Sequence, residues 1–165
     1  FYPSVFGIQN DQDARTIEIL FGIPNYRYKV WLVRIFLIFA IAGLIMLVFT
    51  FLSSVLIVKF QFTKMAIQVM IPVIFLGMMA FMLSTLIRNG NGTAVVMIII
   101  GIIFMQDPLR KSQWNIFLNP FQPSYDVNET TWALITMKNR IILGVGTIVF
   151  LLAGLLNLQK REKFM

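Results

Sequence analysis

Residues 35–58 read IFLIFAIAGLIMLVFTFLSSVLIV, an uncharged run that decides the class of fold. Two further uncharged apolar runs follow at residues 65–87 and 141–158. Each run reaches the roughly 18–20 residues that a helix needs to cross a hydrocarbon core about 30 Å thick. The sequence therefore predicts an all-α integral membrane protein.

The composition agrees with this class. Of the 165 residues, 58% are hydrophobic and 13% are charged, whereas a soluble domain carries about 25% charged residues. The net charge is +7, but the basic residues lie beside the apolar runs and form no stripe that could follow a phosphate backbone. We therefore expect the lipid bilayer as a partner and no nucleic acid.

Several kinds of chemistry are excluded by the residue types. The chain contains no cysteine and no histidine, so it has no disulfide, no thiolate or imidazole metal ligand and no histidine base. All its acids lie outside the apolar runs, which argues against a proton relay. Asp126 and Glu129 are interpreted as solvated loop acids. We predict no catalytic, cofactor or metal site in this chain, and hence no enzyme.

Two sets of residues inside the apolar runs suggest more than general hydrophobicity. Met78, Met79 and Met82 could line an adaptable conduit, although ordinary packing between helices is the favoured interpretation. Gly144 and Thr147, with Gly154 two turns further on, offer a small-residue surface on the last run. We expect that surface to serve close helix contact.

The positions of the basic residues predict the orientation. An aromatic and basic belt precedes the first run, and a basic tail follows the last one. The cations assigned to the cytoplasm are Arg15, Arg27, Lys29, Arg34, Arg88, Lys160, Arg161 and Lys163, against Lys59, Lys64, Arg110, Lys111, Lys138 and Arg140 outside. We expect a multi-pass protein of the cell (cytoplasmic or inner) membrane, with the N-terminal loop and the C-terminus in the cytoplasm.

Two cytoplasmic ends require an even number of crossings, so a fourth span is needed. The apolar stretch at 93–106 is only about 20 Å long as a helix. It is either a short crossing helix or a re-entrant hairpin, and the basic tail favours the crossing. The predicted domains are a cytoplasmic loop at 1–30 and a transmembrane domain at 31–165. Its spans are expected at about 31–58, 65–87, 93–106 and 140–158, with an outer, partly re-entrant region at 107–139.

The segment before the first span is predicted to form one short amphipathic helix over residues 12–21. The residues that share one face of this helix are Ala14, Ile17, Glu18 and Phe21. Gly22 and Pro24 supply stop signals just beyond its last turn. By itself, this pattern is typical of a helix at the membrane surface, outside the bilayer core.

The same segment resembles the cytoplasmic loop of the type-2 ABC exporter permeases. It reads TIEILFGIPNYR at residues 16–27. In that family a Thr-apolar-Glu-apolar-Leu element is followed by a Pro and a basic residue, just before a span. This sequence has Arg15 where the family usually has Gly. The order of the later segments, down to the basic tail, also resembles the family.

The resemblance implies a coupling role for the loop. The family's loop helix docks on a cytosolic nucleotide-binding ATPase subunit, which binds ATP and Mg, so this chain would need no cofactor of its own. The residues implied in the contact are Thr16, Ile17, Glu18, Ile19, Leu20, Pro24 and Arg27. A second permease subunit, in a homo- or heterodimer, is also implied. The family's first two spans have no counterpart here, so we expect residues before Phe1.

The predicted function is therefore the permease subunit of an ATP-driven exporter, which couples ATP hydrolysis by a separate subunit to substrate translocation. The alternative is a non-transporting anchor or scaffold subunit of a larger complex, whose amphipathic helix lies on the bilayer. A lipid-modifying enzyme that uses residues 106–140 is the least favoured interpretation, because no nucleophile, base and orienting group can be assembled there.

Overall fold

The computed structural model describes residues 4–7, 9, 26–57, 59–105, 112–121 and 128–159. Every regular element in these ranges is helical, as the sequence predicts. The four main helices are α1 (Tyr26–Leu56), α2 (Phe62–Ile87), α3 (Gly90–Met105) and α4 (Glu129–Gln159). A short helical piece at residues 4–7 precedes them.

Three of the helices are long and apolar enough to cross a membrane. Their apolar lengths are Lys29–Leu56, Phe62–Ile87 and Glu129–Leu158. α3 is also apolar, but its 16 residues fall just short of the roughly 17–25 residues of an ordinary span. The all-helical class and three helices able to span a membrane are as the sequence predicts, while a count of four crossings stays a prediction.

The connection between α2 and α3 is shorter than the sequence predicts. The predicted spans at 65–87 and 93–106 leave residues 88–92 between them, but only Arg88 and Asn89 lie outside the helices. Arg88 ends α2 in a left-handed conformation, with φ 57°, and its N–H donates to the carbonyl of Ser84 at 3.0 Å. Asn89 Oδ1 then accepts the N–H of Gly92 at 3.1 Å, as an N-cap does. This cap allows α3 to begin at Gly90, directly after Asn89.

α2 is the central helix, and it packs along α4 in a parallel arrangement. The Phe75 and Phe150 rings lie 5.3 Å apart between centroids. Ten residues further along α2, Thr85 Oγ1 accepts a hydrogen bond from Asn157 Nδ2 at 3.4 Å. Residue numbers therefore rise together along the two helices, so both run towards the same end of the bundle.

The core lies at the end of the bundle where α1 and α3 begin and α2 and α4 end, which we name the core end. One buried cluster joins α1, α2 and α4 through Trp31, Ile35, Met78, Phe81 and Leu158. A second cluster joins the 4–7 piece, α2 and α3 through Val5, Met79, Ala80 and Met97. Met78 and Met79 thus serve as packing residues, which was the favoured interpretation of the sequence.

The outer surface of the bundle is strongly apolar. Many large side chains of α1 and α4 are more than half exposed, among them Phe36, Leu44, Phe49, Ile148 and Leu152. Soluble proteins rarely expose apolar patches of such extent. The surface is suited to contact with lipid chains or with apolar helices of another subunit.

Of the two glycines singled out on α4, Gly154 makes the close contact. A Cβ added there would lie 2.5 Å from Phe81 Cε1, whereas one added at Gly144 would meet no atom within 4 Å. The Phe81 ring is itself buried against Trp31, with 5.6 Å between ring centroids, so it has little room to move. α4 can approach α2 at this point because residue 154 has no side chain.

We expect Gly154→Ala to destabilise the bundle by about 1–2 kcal/mol, because overpacking outweighs the gain of about 1 kcal/mol in helix propensity. Gly144→Ala is the matched control on the same helix, and it should leave stability unchanged or raise it slightly. Thermal unfolding in detergent, followed by tryptophan fluorescence, measures both. Equal melting temperatures for the two variants would contradict the close contact.

Candidate functional site

Most of the predicted ATPase-contact residues lie outside the described part of the chain. These residues are Thr16, Ile17, Glu18, Ile19, Leu20 and Pro24. Arg27 lies in the first turn of α1, where the structure describes the backbone. The helix over residues 12–21 thus stays a prediction. The structure does describe how the chain is held immediately before and after residues 10–25.

Before residues 10–25, the chain is joined to α2 and α3 by long-range hydrogen bonds. The buried Ser84 Oγ donates to the carbonyl of Val5 at 2.8 Å, and Val5 is fully buried. The N–H of Gly90, at the start of α3, donates to Gln9 Oε1 at 2.7 Å. An unpaired buried polar group costs about 1–3 kcal/mol, so these bonds favour one placement of residues 5–9.

Gly90 shows how closely this segment approaches α3. A Cβ added at Gly90 would collide with the Phe6 ring and lie 2.8 Å from Gln9 Oε1. A residue with a side chain would have to displace the ring or the amide that bonds to the helix terminus. Glycine at position 90 therefore permits both the contact with Phe6 and the hydrogen bond to Gln9.

After residues 10–25, the chain is fixed by Trp31 in the second turn of α1. This side chain is 4% exposed and packs on Phe81 of α2. It also lies beside Gly7, where an added Cβ would be 3.6 Å from the indole ring. Arg34 covers the ring, with its guanidinium carbon 4.9 Å from the centroid, at the distance of a cation–π contact.

Both flanks of residues 10–25 are therefore held at the core end. Gln9 joins the preceding flank to α3, and Trp31 joins the following flank to α2 and to Gly7. A displacement of the residues between these two points would act on packed helices and not on a loose linker. We refer to this arrangement, in which Gln9 and Trp31 hold the two flanks of residues 10–25, as the double anchorage.

At the opposite end of the bundle, residues 112–121 are held against α4 by its side chains. Asn139 is fully buried, and its Nδ2 donates to the carbonyls of Gln113 and Asn115, both at 2.8 Å. Trp132 lies about two turns before Asn139 on the same face of α4, and its Nε1 donates to the carbonyl of Pro120 at 3.1 Å. Side chains of α4 thereby supply hydrogen-bond donors to backbone carbonyls of this irregular segment, which has no helix or sheet to supply them.

Arg140 adds a further link to this segment and is not simply a headgroup cation. Its Nη2 donates to the carbonyl of Leu118 at 3.3 Å. α4 begins at Glu129, so this arginine lies in the fourth turn of the helix. The residues from Glu129 to Asn139, which the sequence assigns to the outer region, belong to this long helix.

The described residues do not assemble a metal or carboxylate site. No group of three His, Cys, Asp or Glu side chains comes together within them. Glu129 is exposed at the start of α4, and Asp126 lies outside the described ranges. Within the described residues, the polar side chains discussed above bond mainly to backbone carbonyls and N–H groups, and so support the backbone.

Two of these features were missed in the sequence. Asn139 did carry a signal, since it lies between two cations at the edge of the last apolar run, seven residues after Trp132. The hydrogen bond from Ser84 to Val5 left no signal in the sequence, because its partners are 79 residues apart.

Comparison with known proteins identified no relative of this chain. No family model matches the chain, and no curated protein or solved structure does so. The function is therefore argued from the sequence pattern and from the two anchored ends of the bundle.

We expect Asn139→Leu to release residues 112–118, because the buried carbonyl of Asn115 and the partly buried carbonyl of Gln113 lose their donor, at a cost of about 1–3 kcal/mol. Hydrogen–deuterium exchange should rise in that segment and stay unchanged at residues 4–9. Asn91→Leu, at an exposed position of α3, is the matched control. Unaltered exchange at residues 112–118 in Asn139→Leu would contradict the assigned role of this amide.

Proposed function

We propose that this chain is the membrane-spanning permease subunit of an ATP-driven ABC exporter. It couples ATP hydrolysis by a separate cytosolic ATPase subunit to translocation of a substrate across the cell membrane. The observation that carries the proposal is the double anchorage of residues 10–25 at the core end, through Gln9 and Trp31.

In this proposal residues 12–21 form a coupling helix that docks on the ATPase. Ile17, Ile19 and Leu20 provide apolar contact, Thr16 begins the contact element, and Pro24 fixes the helix to the base of α1. Glu18 and Arg27 orient it through charge-assisted hydrogen bonds. These are the residues on which a nucleotide-driven displacement would first act.

The anchorage supplies a path for that displacement. Closure of two ATPase subunits around ATP and Mg moves the coupling helix. The movement passes to α1 through Trp31, and to α2 and α3 through the hydrogen bonds of Val5 and Gln9. Packed elements of this kind shift as units, so a small displacement at one end becomes a tilt of the helices.

The remaining parts of the proposal concern topology and assembly. The core end faces the cytoplasm with the C-terminus, since the basic belt before α1 and the basic tail after α4 indicate that side. α3 provides a fourth crossing. Two permease subunits, identical or different, enclose the pathway, and the exposed apolar side chains of α1 and α4 agree with a partner helix or lipid.

The alternative, a membrane anchor or scaffold, is less well supported by the described contacts. An anchor requires one apolar helix and needs no connection between a surface helix and the interior of the bundle. Here the residues that precede the predicted coupling helix are hydrogen-bonded to two different helices. The permease proposal assigns these hydrogen bonds a role in transmitting movement, whereas the anchor alternative assigns them no role.

We expect the chain, purified in mild detergent, to bring with it a nucleotide-binding subunit that hydrolyses ATP. Glu18→Ala or deletion of residues 16–21 should abolish the association or uncouple ATP hydrolysis from transport, while the spans stay inserted. Glu162→Ala, in the predicted cytoplasmic tail, is the matched control and should behave as wild type. Full association and coupling after the deletion would refute the proposal.

A labelling experiment separates a docking helix from a membrane anchor. Because the chain contains no cysteine, Ile17→Cys introduces a single thiol. We expect a water-soluble maleimide to label this thiol in the isolated chain and to be excluded when the ATPase is present. An anchor helix that buries residue 17 in lipid would be protected in both states, and that result would favour the alternative.

A further inference from the structure

A cleft lies between the start of α2 and residues 112–121, at the end of the bundle opposite the core end. The residues that line it are Phe60, Gln61, Lys64, Met65, Asn119 and Phe121. Its volume is about 430 Å³. Pockets that take small ligands have volumes of about 300–1,000 Å³. We name this space the outer cleft, and its size suits a small ligand.

The bundle holds both walls of the outer cleft in place. One wall is the beginning of α2, a helix of 26 residues. The other wall is fixed to α4 on each side of Asn119. Arg140 Nη2 donates to the carbonyl of Leu118, and Trp132 Nε1 donates to that of Pro120. Because both walls are already in place, a ligand would bind at a low cost in ordering the protein.

Two contacts show which residues of α2 and α4 lie at the same level. A Cβ added at Gly154 would lie 3.5 Å from Met82 Cα. Asn157 bonds to Thr85, and the residue numbers differ by 72 in both pairs. Because the two helices are parallel, the same offset places Arg140 about one turn beyond the lining residues of α2. Helical side chains lean towards the N-terminus, so the guanidinium of Arg140 extends towards the level of the outer cleft.

The two cations at this level have no acidic partner. The Arg140 guanidinium bonds to two neutral acceptors, the carbonyl of Leu118 at 3.3 Å and Oδ1 of Asn139 at 3.4 Å. Its Nε is buried and has no hydrogen-bond partner within the described ranges. Lys64 is exposed and forms no ion pair with the rest of the described chain. Ionisable side chains within a membrane-spanning helix are costly, and they usually mark a binding or transport site.

We propose that the outer cleft binds a small amphipathic anion. The anionic group lies at Asn119, between Lys64 of α2 and Arg140 of α4. The apolar part of the ligand packs on the aromatic side chains of the lining, Phe60 and Phe121. Each part of the ligand thus meets side chains of matching character.

The lining selects the ligand by charge and by size. The lining contains a lysine and no acidic side chain, so it attracts an anion and repels a cation. A phospholipid with two acyl chains exceeds the volume of the cleft, whereas an anion with one short chain fits it. The inference rests on the proposed function in that it names the class of substrate, a single-chain amphipathic anion.

The test is photolabelling of the full chain, with any partner it carries, in nanodiscs of phosphatidylcholine. The probe is decanoate with a diazirine in its chain, and its methyl ester is the matched neutral probe. We expect saturable labelling of residues 60–65 and 119–121 by the anion and weak labelling by the ester. Mass spectrometry of the digested chain locates the label. A second set of nanodiscs, made of phosphatidylglycerol, shows whether an anionic lipid takes the site instead.

Two pairs of variants test the two parts of the cleft. Lys64→Gln should weaken binding of the anion about fivefold. Lys59→Gln, which neutralises an exposed lysine of the same loop region outside the lining, is its matched control. Met65→Trp should fill the cleft and abolish the label, whereas Ile67→Trp, on the same helix and 63% exposed, should not. Circular dichroism and the elution volume show that each variant is folded.

Three results would overturn the proposal. These are equal labelling by the anion and the ester, unchanged labelling in both cleft variants, and loss of the label in phosphatidylglycerol, which would assign the cleft to lipid. The measurement needs no ATPase. A failure here would therefore leave the association with an ATPase to be judged by deletion of residues 16–21, and the reverse also holds.

Discussion

The long apolar helices suit a hydrocarbon environment, and that environment imposes the constraint from which the rest of the structure follows. A hydrocarbon core offers no water to backbone N–H and C=O groups, so a chain that crosses it must pair these groups within itself. α1, α2 and α4 do so as long helices, although Pro72 removes one hydrogen bond from the ladder of α2. Their outer faces can then remain apolar, and large side chains such as Phe36 and Phe49 need no partner within the bundle.

Where the backbone is irregular or a helix begins, side chains from distant parts of the chain complete the pairing. Asn139 of α4 donates to two carbonyls of the 112–118 segment, Ser84 of α2 donates to Val5, and Gln9 accepts from the first N–H of α3. In an apolar bundle such polar links are few, and each is costly to break. They therefore specify how the segments before α1 and before α4 are placed.

The two ends of the bundle are built differently, and this bears on the proposed mechanism. The core end contains both buried clusters, the close approach at Gly154 and the anchored flanks of residues 10–25. The opposite end holds an irregular segment through polar contacts with one helix. A coupled movement that starts at the core end would thus act on the most tightly packed part of the protein.

The sequence by itself determined the helical class and the approximate positions of three helices long and apolar enough to span a membrane, because an uncharged run of sufficient length has few stable alternatives in lipid. It also suggested glycine contacts on α4, but Gly144 and Gly154 look alike in sequence, and only the position of Phe81 distinguishes them. Charges at Lys138 and Arg140 marked the edge of an apolar run, whereas α4 begins at Glu129, since helical hydrogen bonds continue beyond the apolar region. The anchorage of Val5 by Ser84 depended on tertiary structure alone, because hydrogen bonds between residues 79 apart leave no local pattern.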